Sequence, residues 1–84
     1  MHLNVVYLAR LREIFGRRHE VIELPSASTV ANLVDALRER GGAWATELAA
    51  GRAVRVAVNQ EMSPLSAPVR DGDEIAFFPP VTGG

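Results

Sequence analysis

Neither cysteine nor lysine occurs anywhere in the 84 residues. Without cysteine there is no disulfide framework, thiolate metal site, cysteine nucleophile or internal thioester. Without lysine there is no Walker-type phosphate loop, no Schiff base and no side-chain amine open to acylation. An excess of one charge is missing as well. Nine basic residues, all arginine, stand against ten acids for a net charge of −1, which leaves no electrostatic footprint for nucleic acid. Apolar runs last only a few residues, far short of the ~20 that cross a bilayer, so no membrane association is expected. His2 and Arg10 interrupt any signal-peptide pattern, and a cytoplasmic location is the expectation. No repeat, linker or low-complexity segment divides the chain, and this length suits a single domain over residues 1–84.

The residues that are present pattern as a small α+β domain. Residues 2–9 are rich in β-branched and aromatic side chains, which suits a strand. Alternation puts Leu3, Val5 and Tyr7 on a core face and His2, Asn4, Val6 and Leu8 on the other. Residues 10–18 are charged and contain Gly16, and read as a turn or short irregular segment. Residues 19–24 read as a second strand, with Val21 on the same side as His19 and Glu23, ended by Pro25. Ser26, Ser28 and Thr29 are candidate helix N-caps. Val30, Leu33, Val34 and Leu37 then recur at the spacing of one helical face. Gly41-Gly42 supplies a left-handed stop. A shorter helical piece fits residues 43–50, where Trp44 and Leu48 are spaced i, i+4. Residues 53–58 form a strand with Val54, Val56 and Val58 on one side. Asn59-Gln60-Glu61 turns into a brief edge segment around Met62. Asp71-Gly72-Asp73 is a turn signal. Glu74 to Phe78 is the last strand, Ile75 and Phe77 inward and Phe78 outward, and Pro79-Pro80 ends its ladder. The order β-β-α-β-(β)-β lets one main helix cover one face of a mixed sheet.

The usual catalytic constellations are missing from this pattern. His2 and His19 have no ligand spacing, and no metal site is expected. Asp71, Asp73 and Glu74 read as a charged turn. Arg10 and Arg12 either grip an anion or a partner carboxylate or belong to a solvated surface. The C-terminus differs from all of these. A strand delivers the chain to Phe78, a Pro-Pro pair stiffens the exit, and residues 79–84 form a tail, expected to be flexible, that can extend ~20 Å. Gly83 and Gly84 lack a β-carbon and can pass a constriction closed to other residues. The only reactive group on the tail is the Gly84 carboxylate. It is ionised at pH 7 and a poor electrophile, so its use requires activation by a partner that brings a nucleotide.

Phe77-Phe78-Pro79-Pro80-Val81-Thr82-Gly83-Gly84 resembles the C-terminal signature of the small subunit of molybdopterin synthase, a sulfur carrier. Asp71-Gly72-Asp73-Glu74-Ile75-Ala76, Ala57-Val58-Asn59-Gln60 and Ala9-Arg10-Leu11-Arg12-Glu13 with Gly16 extend the likeness over nearly the whole chain. The resemblance implies a β-grasp, ubiquitin-like fold. It implies that Gly84 is adenylated by an E1-like activating enzyme using ATP, then converted to a thiocarboxylate by a sulfurtransferase. The tail, Pro79 to Gly84, would then thread into the large synthase subunit and give its sulfur to cyclic pyranopterin monophosphate, building the molybdopterin dithiolene. The family assembles as a heterotetramer of two small and two large subunits. No tightly bound cofactor and no catalytic side chain are expected on this chain, only the covalent thiocarboxylate. Apolar residues at the positions of Leu8, Met62 and Phe78, with Pro79, Pro80, Val81 and Thr82 of the tail, are implied as partner contacts, and Arg12 as a contact to acidic partner residues. Carriers for thiazole, cysteine or transfer-RNA thiolation share the double glycine, as do ubiquitin-like protein modifiers. A pure interaction module with an inert tail is the remaining reading. The Phe-Phe-Pro-Pro ending favours the molybdopterin carrier.

Overall fold

The computed structural model describes residues 1–80. Eight elements follow one another along the chain: β1 (His2–Tyr7), α1 (Arg10–Phe15), β2 (His19–Glu23), α2 (Val30–Arg38), α3 (Gly42–Glu47), β3 (Arg55–Val58), β4 (Glu61–Met62) and β5 (Glu74–Phe78). The strands make one mixed sheet in the order β2-β1-β5-β3-β4. The central pair, β1 and β5, is parallel, and every other pair is antiparallel. This is the expected β-grasp arrangement, with the chain's first and last strands side by side at the centre.

Alternation decides which side chains enter the core. Leu3, Val5 and Tyr7 of β1 and Ile75 and Phe77 of β5 are fully buried. They meet Val30, Leu33 and Leu37, the apolar stripe of α2, on one face of the sheet. Each such side chain removed from water stabilises the fold by roughly 1.5–3 kcal/mol. Of the three candidate caps, Thr29 starts α2. Its hydroxyl accepts from the Asn32 amide while the Asn32 side chain accepts from the Thr29 amide, a reciprocal box.

Three local expectations need correction. Residues 10–15 form a helix, not an irregular turn, because Leu11 and Phe15 sit one turn apart and both reach the core. Gly16, at φ 70°, then takes the left-handed position that closes α1, its amide donating to the Arg12 carbonyl. Gly41 and Gly42 do not cap α2, which ends on Glu39 in right-handed geometry. Gly41 instead precedes α3 and turns the chain into it. The second helical piece is also earlier than expected, ending at Glu47 with Leu48 as its C-cap. Asn59 and Gln60, both at positive φ, form the two-residue hairpin between β3 and β4. The Asn59 side chain bonds to the Asp73 carboxylate and the Glu74 amide, locking that hairpin to the start of β5.

Candidate functional site

The sheet face away from the helices carries the site. Register defines it without ambiguity. Val6 of β1 lies beside Ala76 of β5, Ala76 beside Ala57 of β3, and Ala57 beside Met62 of β4. One step toward the end of β5, Phe78 lies beside Arg55. Leu8 reaches the same level, because its amide donates to the Phe77 carbonyl. The result is an apolar band across four strands that ends where the chain leaves β5. Leu8 is 43% exposed and Met62 59%, and an exposed apolar patch of this kind marks an interaction surface. Phe78 and Val6 are half-buried. Ala57 is on this face by register but buried, so the outer residues supply the contact area.

Three of the anticipated contact residues, Leu8, Met62 and Phe78, are thus brought onto one face. Pro79 and Pro80 are half-buried and line a recess of about 350 Å³ with Arg10, Leu11, Glu47, Gly51, Arg52, Ala53 and Val54. The anticipated tail residues Val81, Thr82, Gly83 and Gly84 lie outside the described residues. Arg12 is exposed and borders an open recess with Val6, Leu8, Arg18 and His19, so it shares the rim of the apolar band. It makes no ion pair among the described residues.

Arg10 behaves differently from Arg12, and sequence reasoning did not separate them. It pairs with Glu47 at 3.0 Å, and Arg52 approaches the same carboxylate at 3.3 Å. Burial pushes the Glu47 carboxyl up, but the two guanidiniums outweigh it and hold it below its ordinary value. This cluster ties α1, α3 and the loop before β3 together at the root of the tail. Glu47 gave no signal in the sequence, because its partners lie 37 and 5 residues away. A second network also escaped the sequence reading. Glu20 accepts from the Tyr7 hydroxyl at 2.6 Å, from both terminal nitrogens of Arg40 at 2.8 Å and from Arg17 at 3.1 Å. It sits on the helix side of the sheet, near Trp44, over which the Arg40 guanidinium lies at 4.5 Å.

The site holds no catalytic apparatus among the described residues. No cluster of three or more metal-ligating side chains occurs among them, and none of their helices is long and apolar enough to cross a membrane. Asp71 and Asp73, the acidic turn, are occupied with backbone amides of His2 and Arg70. What the arrangement can do is dock: it offers an apolar face continuous with the C-terminal end of β5.

Comparison with known proteins bears on what docks there. Residues 5–84 match the model of the ThiS family. A curated relative from Haemophilus influenzae, "Molybdopterin synthase sulfur carrier subunit", is 45% identical over 98% of this chain and 99% of its own length. Among solved structures, SAMP1 from Haloferax volcanii covers all of both chains with a TM-score of 0.75 at 30% identity. A complex of subunits 1 and 2 of the molybdopterin-converting factor from Helicobacter pylori contains a chain that superposes with a TM-score of 0.70 at 26% identity, again over the full length of both.

Proposed function

This chain belongs to the ThiS family, and on that premise we propose that it is the sulfur carrier subunit of a molybdopterin synthase. The observation that carries the reading is the likeness to the Haemophilus carrier subunit over 98% of this chain, beside a family match that runs to residue 84. The apolar face at the root of the tail supports it, since a carrier must be held while its end reacts elsewhere. The Gly84 carboxylate attacks the α-phosphorus of ATP on an E1-like enzyme, pyrophosphate leaves, and an acyl adenylate results. A sulfurtransferase persulfide then displaces AMP to give an acyl disulfide, and a thiol reductant cleaves its S–S bond, leaving a thiocarboxylate. That group is ionised at neutral pH and its sulfur is a soft nucleophile. Delivered to the large subunit, it attacks the pyranopterin precursor, water cleaves the resulting thioester to return the Gly84 carboxylate and leave the sulfur on the pterin, and two loaded carriers complete one dithiolene. The large subunit seen with the Helicobacter relative is the partner of this chain in the same reading. Acid–base residues belong to that subunit, because this chain supplies binding and a terminus.

The test is reconstitution. Loaded carrier, identified by an intact mass that has exchanged one oxygen for sulfur, should yield molybdopterin from its precursor with the large subunit. Deletion of Gly84 should abolish the product. Full activity of the deletion variant would overturn the mechanism. Loading without molybdopterin formation would point to another thiolation pathway, and high-mass lysine conjugates in place of loaded carrier would point to a protein modifier.

A further inference from the structure

The sheet has two edges, and they are unequal. β4 ends it with only Glu61 and Met62, whereas β2 ends it with five residues and has, among the described residues, no strand neighbour other than β1. The pairing with β1 fixes which backbone groups of β2 face outward. Tyr7 donates to the Arg18 carbonyl, and Met1 and Leu24 exchange both of their bonds. In an antiparallel ladder, alternate residues carry the exchange, so Arg18, Glu20, Ile22 and Leu24 turn toward β1. His19, Val21 and Glu23 therefore present their amides and carbonyls to the open edge. Their side chains are exposed on the outer face of the sheet, and Val21 is 54% exposed.

We infer that this edge is self-complementary and that a second copy of the chain pairs with it, antiparallel and centred on Val21. In that register His19 faces Glu23 of the other copy, Val21 faces Val21, and Glu23 faces His19. All three are outward residues, so each pair exchanges two backbone hydrogen bonds. The contact is apolar at its centre and pairs an imidazole with a carboxylate on each side, all on one face of the joined sheet. Neighbouring registers are worse. A two-residue shift one way sets His19 against Pro25, which has no amide to donate. The same shift the other way sets His19 against Val21 and leaves the centre without its apolar pair. Glu23 already has His2 at 3.9 Å on its inner side, so partner His19 would place its carboxylate between two imidazoles. The two-fold axis runs perpendicular to the sheet, which puts both apolar bands on the same side of a ten-stranded sheet. β1 separates the pairing edge from β5, so the joined edge and the root of the tail do not overlap. A five-residue edge is short, and the association belongs to the weak, concentration-dependent class.

Sedimentation equilibrium of the full chain, from roughly 10 μM to 1 mM, reads this directly. The mass should rise from 9.1 kDa toward twice that value. Amide exchange measured at both ends of the range should show added protection at His19, Val21 and Glu23. Val21→Lys, which sets two like charges opposite each other, should weaken association at least tenfold with an unchanged melting temperature. His19→Glu should weaken it as well, and His19→Glu with Glu23→Arg should restore it, because the swap renews both charge pairs only in the stated register. A monomer at every concentration would overturn the inference. So would a dimer whose protected amides lie on β3 or β4, or a dimer indifferent to Val21→Lys.

Discussion

Glu20 shows how far one side chain's chemistry depends on neighbours remote in sequence. Burial alone would push its carboxyl up. Hydrogen bonds from Arg40 and Tyr7, with the charges of Arg40 and Arg17, outweigh that and hold it at about 2 against an ordinary 4.5. Burial, with the hydrogen bond to Glu20 and its negative charge, pushes the Tyr7 hydroxyl up against the opposing charges of Arg40 and Arg17, so it remains a donor across the accessible pH range. The sign follows from linkage. A carboxyl lowered in the folded state stabilises the fold above its unfolded value, near 4.5, and that contribution is lost as pH falls toward 2. Solvent screening of the arginines reduces its size to about 1 kcal/mol. Glu20→Gln should therefore lower stability at pH 7 and flatten the decline between pH 4.5 and 2, measured by urea unfolding at a series of pH values. A variant with the wild-type acid limb would assign that limb to other carboxyls.

At the scale of elements, β5 sets two phenylalanines on opposite sides of one strand, and their substitutions should separate fold from function. Phe77 is fully buried, and Phe77→Ala should cost about 3–5 kcal/mol of stability. Phe78 faces the apolar band, so Phe78→Ala should weaken binding to the large synthase subunit tenfold or more while shifting the melting temperature by only a few degrees. Calorimetric titration beside thermal unfolding distinguishes the two, and the reverse pattern would mean the faces are assigned wrongly. The link from β1 to α1 carries local strain. Ala9 lies at φ 53°, ψ −131°, the first central position of a turn closed by the Leu11 amide on the Leu8 carbonyl. That conformation normally requires glycine. Ala9→Gly should raise stability by about 0.5–1 kcal/mol, the relief of a positive φ net of added chain entropy. A loss of stability in chemical denaturation would show that the turn is not strained.

For the molecule as a whole, the buried cluster among the described residues is drawn from residues 3–77. The variant lacking Gly84 should then melt with the wild-type profile while failing in sulfur transfer, which separates the scaffold from the terminus it presents. The composition acquires a meaning at this scale too. A chain without lysine offers an activated Gly84 no side-chain amine of its own to acylate, and a chain without cysteine must receive its sulfur from outside.

Strand faces, the main helix with Thr29 among its three candidate caps, the Asn59-Gln60 turn and the Phe-Phe-Pro-Pro exit were all legible in the sequence, because each depends on side chains within a few residues of one another. Alternation alone placed Leu3, Val5, Tyr7, Ile75 and Phe77 inside, and it placed Leu8, Met62 and Phe78 on the opposite face. The helix α1 was missed because the five charged residues and Gly16 of residues 10–18 masked its apolar side chains. Its two anchors, Leu11 and Phe15, find their partners only in the assembled core. The Glu47 and Glu20 networks were missed for a related reason: their arginines come from different elements, and no spacing encodes a contact made by packing. Local sequence decided which way each side chain points. Only the tertiary structure decided which strands lie side by side, and hence the register that sets Val6 beside Ala76, Ala76 beside Ala57 and Ala57 beside Met62, because strand order follows from burial of the whole sheet and not from any segment alone.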